Sequence, residues 1–169
     1  ITSNNSERFN HKTHNIYNNT DISITCPPES FYSDFDFNYE KQETTNKKLF
    51  SPIHKIHKPS TPIHKNITLS IKPTNLPEEL KAKAALIKIN TSNGNISFAG
   101  GEYKNGWVTN RLRYFGNYAI SVDTIPPQIK SLSIRNNKQL IESKRIRFKI
   151  YDSESGIKSY SGLIDNEWV

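Results

Sequence analysis

The chain is built from short runs that alternate apolar and polar residues with a period of two, each cut off by Pro, Gly or Asn. Ile22-Ser-Ile-Thr-Cys26 and Ile67-Thr-Leu-Ser-Ile71 alternate strictly, and the run from Phe31 to Tyr39 places Phe35, Phe37 and Tyr39 on one face. Such alternation suits a strand with one face on a core and the other in water, and it cannot be satisfied by a helix. Pro27-Pro28 ends the first run, and Pro52, Pro59 and Pro62 force extended or turn geometry on residues 50–64. Gly100-Gly101 and Lys104-Asn-Gly106 interrupt the later runs. Leu76 to Ala84 is the one plausible helix, of one or two turns.

Several short strands with turn signals roughly every ten residues predict an all-β fold. The expected architecture is an immunoglobulin-like β-sandwich over 21–123, followed by the first strands of a second immunoglobulin-like module over 124–169. Asp123-Thr-Ile-Pro-Pro127 is the seam, because tandem prolines stiffen a linker and end strand pairing. Residues 1–20, rich in Asn, Ser, Thr and His, are expected to be an irregular lead-in. No Met is present, the chain opens on Ile1 and it stops on Trp168-Val169, so it is expected to be a piece of a longer protein.

Composition removes several classes of function. The single Cys26 allows neither an intrachain disulfide nor a cysteine-based zinc cluster. No apolar run approaches the roughly 18 residues of a membrane-crossing helix. The net charge of +7 raises nucleic acid or an anionic surface as partners. The cations are scattered, however, and in Lys144-Arg-Ile-Arg-Phe-Lys-Ile150 they alternate with apolar residues as a solvent-facing strand edge does, so no nucleic-acid partner is expected.

Three constellations could carry chemistry. His54, His57 and His64 are the candidate metal ligands, but prolines deny them the shared helical face on which paired histidines usually bind zinc. Tyr103, Trp107, Arg111 and Arg113 are the candidate ligand-binding residues, since aromatic faces beside cations stack sugar rings or bases. The competing reading puts Trp107 and Tyr118 in the sandwich core. Asp34 and Asp36 alternate with aromatics and face solvent, and Asp152-Ser-Glu-Ser-Gly156 and Asp165-Asn166 read as polar turns. No nucleophile elbow, phosphate loop or dinucleotide fingerprint occurs, so no catalytic residue is assigned.

Ordered along the chain stand Pro27-Pro-Glu-Ser-Phe-Tyr-Ser-Asp-Phe-Asp-Phe37, Ser51-Pro-Ile-His-Lys-Ile-His-Lys-Pro-Ser-Thr-Pro-Ile-His64, Leu76-Pro-Glu-Glu-Leu80, Gly101-Glu-Tyr-Lys-Asn-Gly-Trp107, Phe115-Gly-Asn-Tyr-Ala-Ile-Ser-Val-Asp-Thr-Ile-Pro-Pro127 and Ser155-Gly-Ile157. Together, from about Ile22 onward, they resemble the region C-terminal to the catalytic domain in lysostaphin-type zinc metallopeptidases of Bacteroidetes. The resemblance implies a parent enzyme that cleaves peptidoglycan cross-links, exported to the periplasm, outer membrane or cell surface. That family's catalytic domain binds zinc through His-x3-Asp and His-x-His. Neither pattern occurs here: no histidine is followed by Asp four positions on, and no two are one residue apart. The resemblance therefore implies zinc in the parent's catalytic domain and no cofactor in this chain, which is expected not to be an enzyme itself. The expected function is that of an accessory or targeting region, with the upstream catalytic domain and peptidoglycan or envelope glycan as partners. The alternatives are a glycan- or surface-binding module of a cell-surface protein and a histidine metal-binding domain.

Overall fold

A computed structural model describes residues 7–90, 93–134, 145–157 and 159–168. It divides into two units, residues 1–123 and 124–169. The first unit is an all-β sandwich. Its strands are β1 (Glu7–Phe9), β2 (Asn15–Asn18), β3 (Ile22–Cys26), β4 (Phe35–Phe37), β5 (Tyr39–Gln42), β6 (Ile53–Ile56), β7 (Ile67–Ile71), β8 (Ala84–Ile89), β9 (Ile96–Gly100), β10 (Glu102–Lys104), β11 (Trp107–Leu112) and β12 (Gly116–Val122). One five-stranded antiparallel sheet runs β10-β11-β7-β3-β2 and the other β5-β6-β12-β8-β9, while β1 and β4 pair in a separate ribbon.

The alternation in the sequence becomes the core. On β3 and β7, Ile22, Ile24, Cys26, Ile67, Leu69 and Ile71 are buried, and the intervening Ser and Thr residues lie on the opposite face. Leu86, Tyr118, Ile120 and Ile56 meet them from the second sheet. Strand β8 departs from strict alternation, with Ala84, Ala85, Leu86 and Ile87 all buried beside a bulge against β9. Pro52 has no N–H to continue the β6 ladder. Ser51 compensates: its Oγ accepts the Ile120 N–H at 2.9 Å while the Phe50 N–H donates to the Ile120 carbonyl at 2.8 Å.

The chain changes sheets between β9 and β10, at Gly100 (φ +80°) and Gly101 (φ +119°). A Cβ on Gly101 would lie 3.0 Å from the Thr109 carbonyl oxygen, so the corner needs glycine for both its backbone angle and its close approach. The helix expected near residues 76–84 is a 3-10 helix, Glu78–Lys83, with no buried residue.

Residues 7–20 correct the sequence reading. Within the expected lead-in, Glu7–Phe9 and Asn15–Asn18 form two strands. Phe9 is buried in register with Phe35, stacks on Phe37 at 4.3 Å between centroids, and joins Phe31 and Phe115 in an aromatic cluster. The cluster caps the end of the sandwich where β3 and β6 finish and β5 and β12 begin. Two strands of three and four residues carry too little periodicity to register in sequence, and the pairing partner of β1 lies almost thirty residues away, about Phe35–Phe37.

In the second unit, β13 (Gln128–Ser131) pairs with β14 (Phe148–Tyr151), and β15 (Leu163–Ile164) pairs with β16 (Glu167–Trp168). Asp165 and Asn166 both take positive φ, as a two-residue hairpin turn requires. The Asp152 carboxylate accepts the Glu154 and Gly156 N–H groups, closing the polar turn expected there.

Phe9→Ala is expected to cost about 3–5 kcal/mol in urea denaturation, the range for emptying a buried aromatic site. Glu7→Ala, exposed on the same strand, is expected to stay within about 0.5 kcal/mol. Equal, negligible losses would mean that the segment is not part of the core.

Candidate functional site

The histidines are pulled to separate partners. His54 is fully buried on β6, with Nδ1 2.8 Å from the Tyr39 hydroxyl and Nε2 without a hydrogen-bond partner. His57 follows it at φ +45°, its ring 4.5 Å from Phe35 and 5.2 Å from Phe115. His64 is exposed and lies 3.1 Å from the Tyr32 hydroxyl. These candidate ligands do not come together: among the described residues no three His, Cys, Asp or Glu side chains are placed to hold one ion. The alternation of β6 turns His54 inward with Ile56, and the aromatic cap claims His57.

Burial pushes the His54 imidazole down to about 4, and that of His57 downward as well. Burial also pushes the Cys26 thiol up to about 12, which suits an inert core residue and no nucleophile. Outside the core, Nδ1 of His11 lies 2.5 Å from Oδ1 of Asp34, whose carboxyl it holds below the usual range.

The four candidate ligand-binding residues divide between faces. Tyr103 is in register with the buried Val108 and packs on the core, with Lys81 Nζ 5.1 Å from its ring centroid. Trp107 and Arg111 lie on the outer face of β11, four residues apart and so on the same side. Arg113 lies past the end of β11, where Nη2 donates to the Ile63 carbonyl at 3.5 Å. Tyr118 is buried, as the core reading expected, whereas Trp107 is half-buried against solvent.

Around Trp107 the outer face of the first sheet forms an open cavity of about 680 Å³. Register explains its lining. Glu102 pairs with Thr109, Thr109 with Ser70, Ser70 with Ser23 and Ser23 with Asn18, so a single row crosses all five strands with a polar residue on each. All five line the cavity, together with Trp107 and Lys104. The Ser70 and Thr109 hydroxyls are 2.8 Å apart. A second row, Arg111-Thr68-Thr25-Ile16, runs parallel to the first. Asn19 at the rim is structural: its Oδ1 accepts the N–H groups of Asp21 and Ile22. Sequence reasoning missed Asn18, Ser23, Ser70, Glu102, Lys104 and Thr109. For Ser23 and Ser70 the signal was the polar half of an alternating run, but nothing local states which polar positions come into line. A second cavity of about 430 Å³ is formed by the loop from Glu43 to Pro52 with Thr74 and Asn75.

A protein-family model described as a Zu5-like domain matches residues 6–123, from just before β1 to the end of the sandwich. The chain belongs to the Zu5-like domain family. Its Zu5-like domain thus includes β1 and β2, in agreement with their place in the core. Comparison with curated proteins gives no match.

A histidine held neutral in the Zu5-like core predicts acid sensitivity. With the folded pKa near 4 against about 6.5 unfolded, the unfolded chain binds more protons, so stability falls as pH drops from 6.5 through 4. The loss is on the order of 3 kcal/mol. The ion pair of Lys41 with Asp21, 2.7 Å apart, lowers the Asp21 pKa and adds a further loss once that carboxylate protonates. Glu43 and Lys41 act on His54 with opposite signs. In urea titrations from pH 7 to pH 4, His54→Gln is expected to flatten most of this dependence, and an unchanged slope would assign it elsewhere.

Proposed function

We propose that this chain is a non-catalytic accessory region of an exported cell-envelope metallopeptidase, and that it places the enzyme on its polymeric substrate. The observation that carries the reading is the outer face of the β10-β11-β7-β3-β2 sheet. There, polar side chains from five hydrogen-bonded strands and a half-exposed indole line one open cavity. A surface of that kind suits binding, because strand-borne side chains hold their positions more firmly than those on loops. The resemblance of the ordered segments from Ile22 onward to the region behind lysostaphin-type catalytic domains supplies the envelope setting and the peptidoglycan cross-link as the parent's substrate. On this reading the zinc belongs to the parent's catalytic domain.

A second reading, favoured by the same face, makes the chain a glycan-binding module of a surface protein that is not a peptidase. The two differ in whether the chain also recognises a lysostaphin-type catalytic domain.

Sedimentation with purified peptidoglycan sacculi tests the proposal. The full chain is expected in the pellet, and a separately purified lysostaphin-type catalytic domain is expected to be retained on the immobilised chain. A chain that stays in the supernatant and retains no catalytic domain would defeat the targeting role.

A further inference from the structure

We infer that the outer face of the first sheet binds one uncharged glycan chain laid across the strands, perpendicular to them, with Trp107 stacked on a sugar ring. This inference rests on the placement role above and names its ligand and the direction in which that ligand lies.

The direction follows from register. The row from Glu102 through Thr109, Ser70 and Ser23 to Asn18 takes one residue from each strand, and the cavity extends over all five. Strands spaced about 4.8 Å apart set the two ends of the row about 19 Å from each other. That length accommodates on the order of four pyranose rings, with a polar side chain about once per ring.

The chemistry of the row selects the ligand class. Hydroxyl and amide side chains both donate and accept hydrogen bonds, as sugar hydroxyl and acetamido groups do. Glu102 and Lys104 stand side by side on β10 as the two charges of the cavity lining, and their signs cancel. Within the cavity lining a polyanion would find one carboxylate and one ammonium, with Arg111 one row away, and not the set of cations that phosphate or sulfate recognition uses. Trp107 offers an apolar face to the C–H side of a pyranose, while the neighbouring polar groups reach the ring's equatorial substituents.

Isothermal titration of the full chain with β-1,4-linked N-acetylglucosamine oligomers, dimer to hexamer, tests the inference, with heparin as the polyanion arm. Affinity is expected to rise from dimer to tetramer and then level off, with heparin weaker than the tetramer. Trp107→Ala should weaken hexamer binding by roughly tenfold or more. Asn18→Ala, at the exposed far end of the row, should reduce the tetramer's advantage over the trimer without loss of folding. Tyr114→Ala, exposed and outside the cavity lining, should leave binding unchanged. Equal affinity for dimer and hexamer, tighter binding of heparin, or binding untouched by both Trp107→Ala and Asn18→Ala would overturn the inference. Oligomer binding without sedimentation on sacculi would defeat the placement role and leave the glycan face standing. Sedimentation that survives both substitutions would do the reverse.

Discussion

A strand turns successive side chains to opposite faces, so burying one set of residues decides where the other set goes. Once Ile22, Ile24 and Cys26 on β3 and Ile67, Leu69 and Ile71 on β7 are inside, Ser23, Thr25, Thr68 and Ser70 must be outside. A slip of one residue would put the hydroxyls in the core at a cost of several unpaired polar groups. The polar cavity is therefore held in place by the apolar core behind it. The row it depends on is as firm as the register of the sheet.

The same constraint accounts for the histidines. On β6 the inward positions fall on His54 and Ile56, which leaves His54 with one ring nitrogen on Tyr39 and the other unpaired. His57 is taken up by the aromatic cap formed by Phe9, Phe31, Phe35, Phe37 and Phe115. Burial makes both rings less basic. The three candidate metal ligands are separated by the packing that builds the sandwich, and the cap draws residues 7–18 into the domain.

Membership of the Zu5-like family gives the sandwich its extent, residues 6–123, and leaves its task to be argued from the surface. Among the described residues the interior packs apolar side chains, with the Cys26 thiol raised by burial and aromatic rings in mutual contact. The outer face of the first sheet carries an open cavity that mixes donors, acceptors and the Trp107 indole. Such a surface suits recognition of a repeating polymer, in which modest contacts are multiplied along a chain.

The sequence by itself determined the all-β fold class and the turns, because these follow from period-two alternation and from the backbone limits of Pro and Gly. It also put Tyr118 in the core as one of two readings. It did not place β1, since three residues carry no period and their partner lies on β4. Nor did it separate Tyr103 from Trp107, although both belong to one aromatic stretch. The hairpin register that sets Tyr103 opposite Val108 turns it inward and Trp107 outward. Only the tertiary structure aligned Glu102, Thr109, Ser70, Ser23 and Asn18, because strand order and register bring distant segments side by side. Thus the polar positions of β3 and β7 were legible, while Asn18 on β2 and the row itself were not.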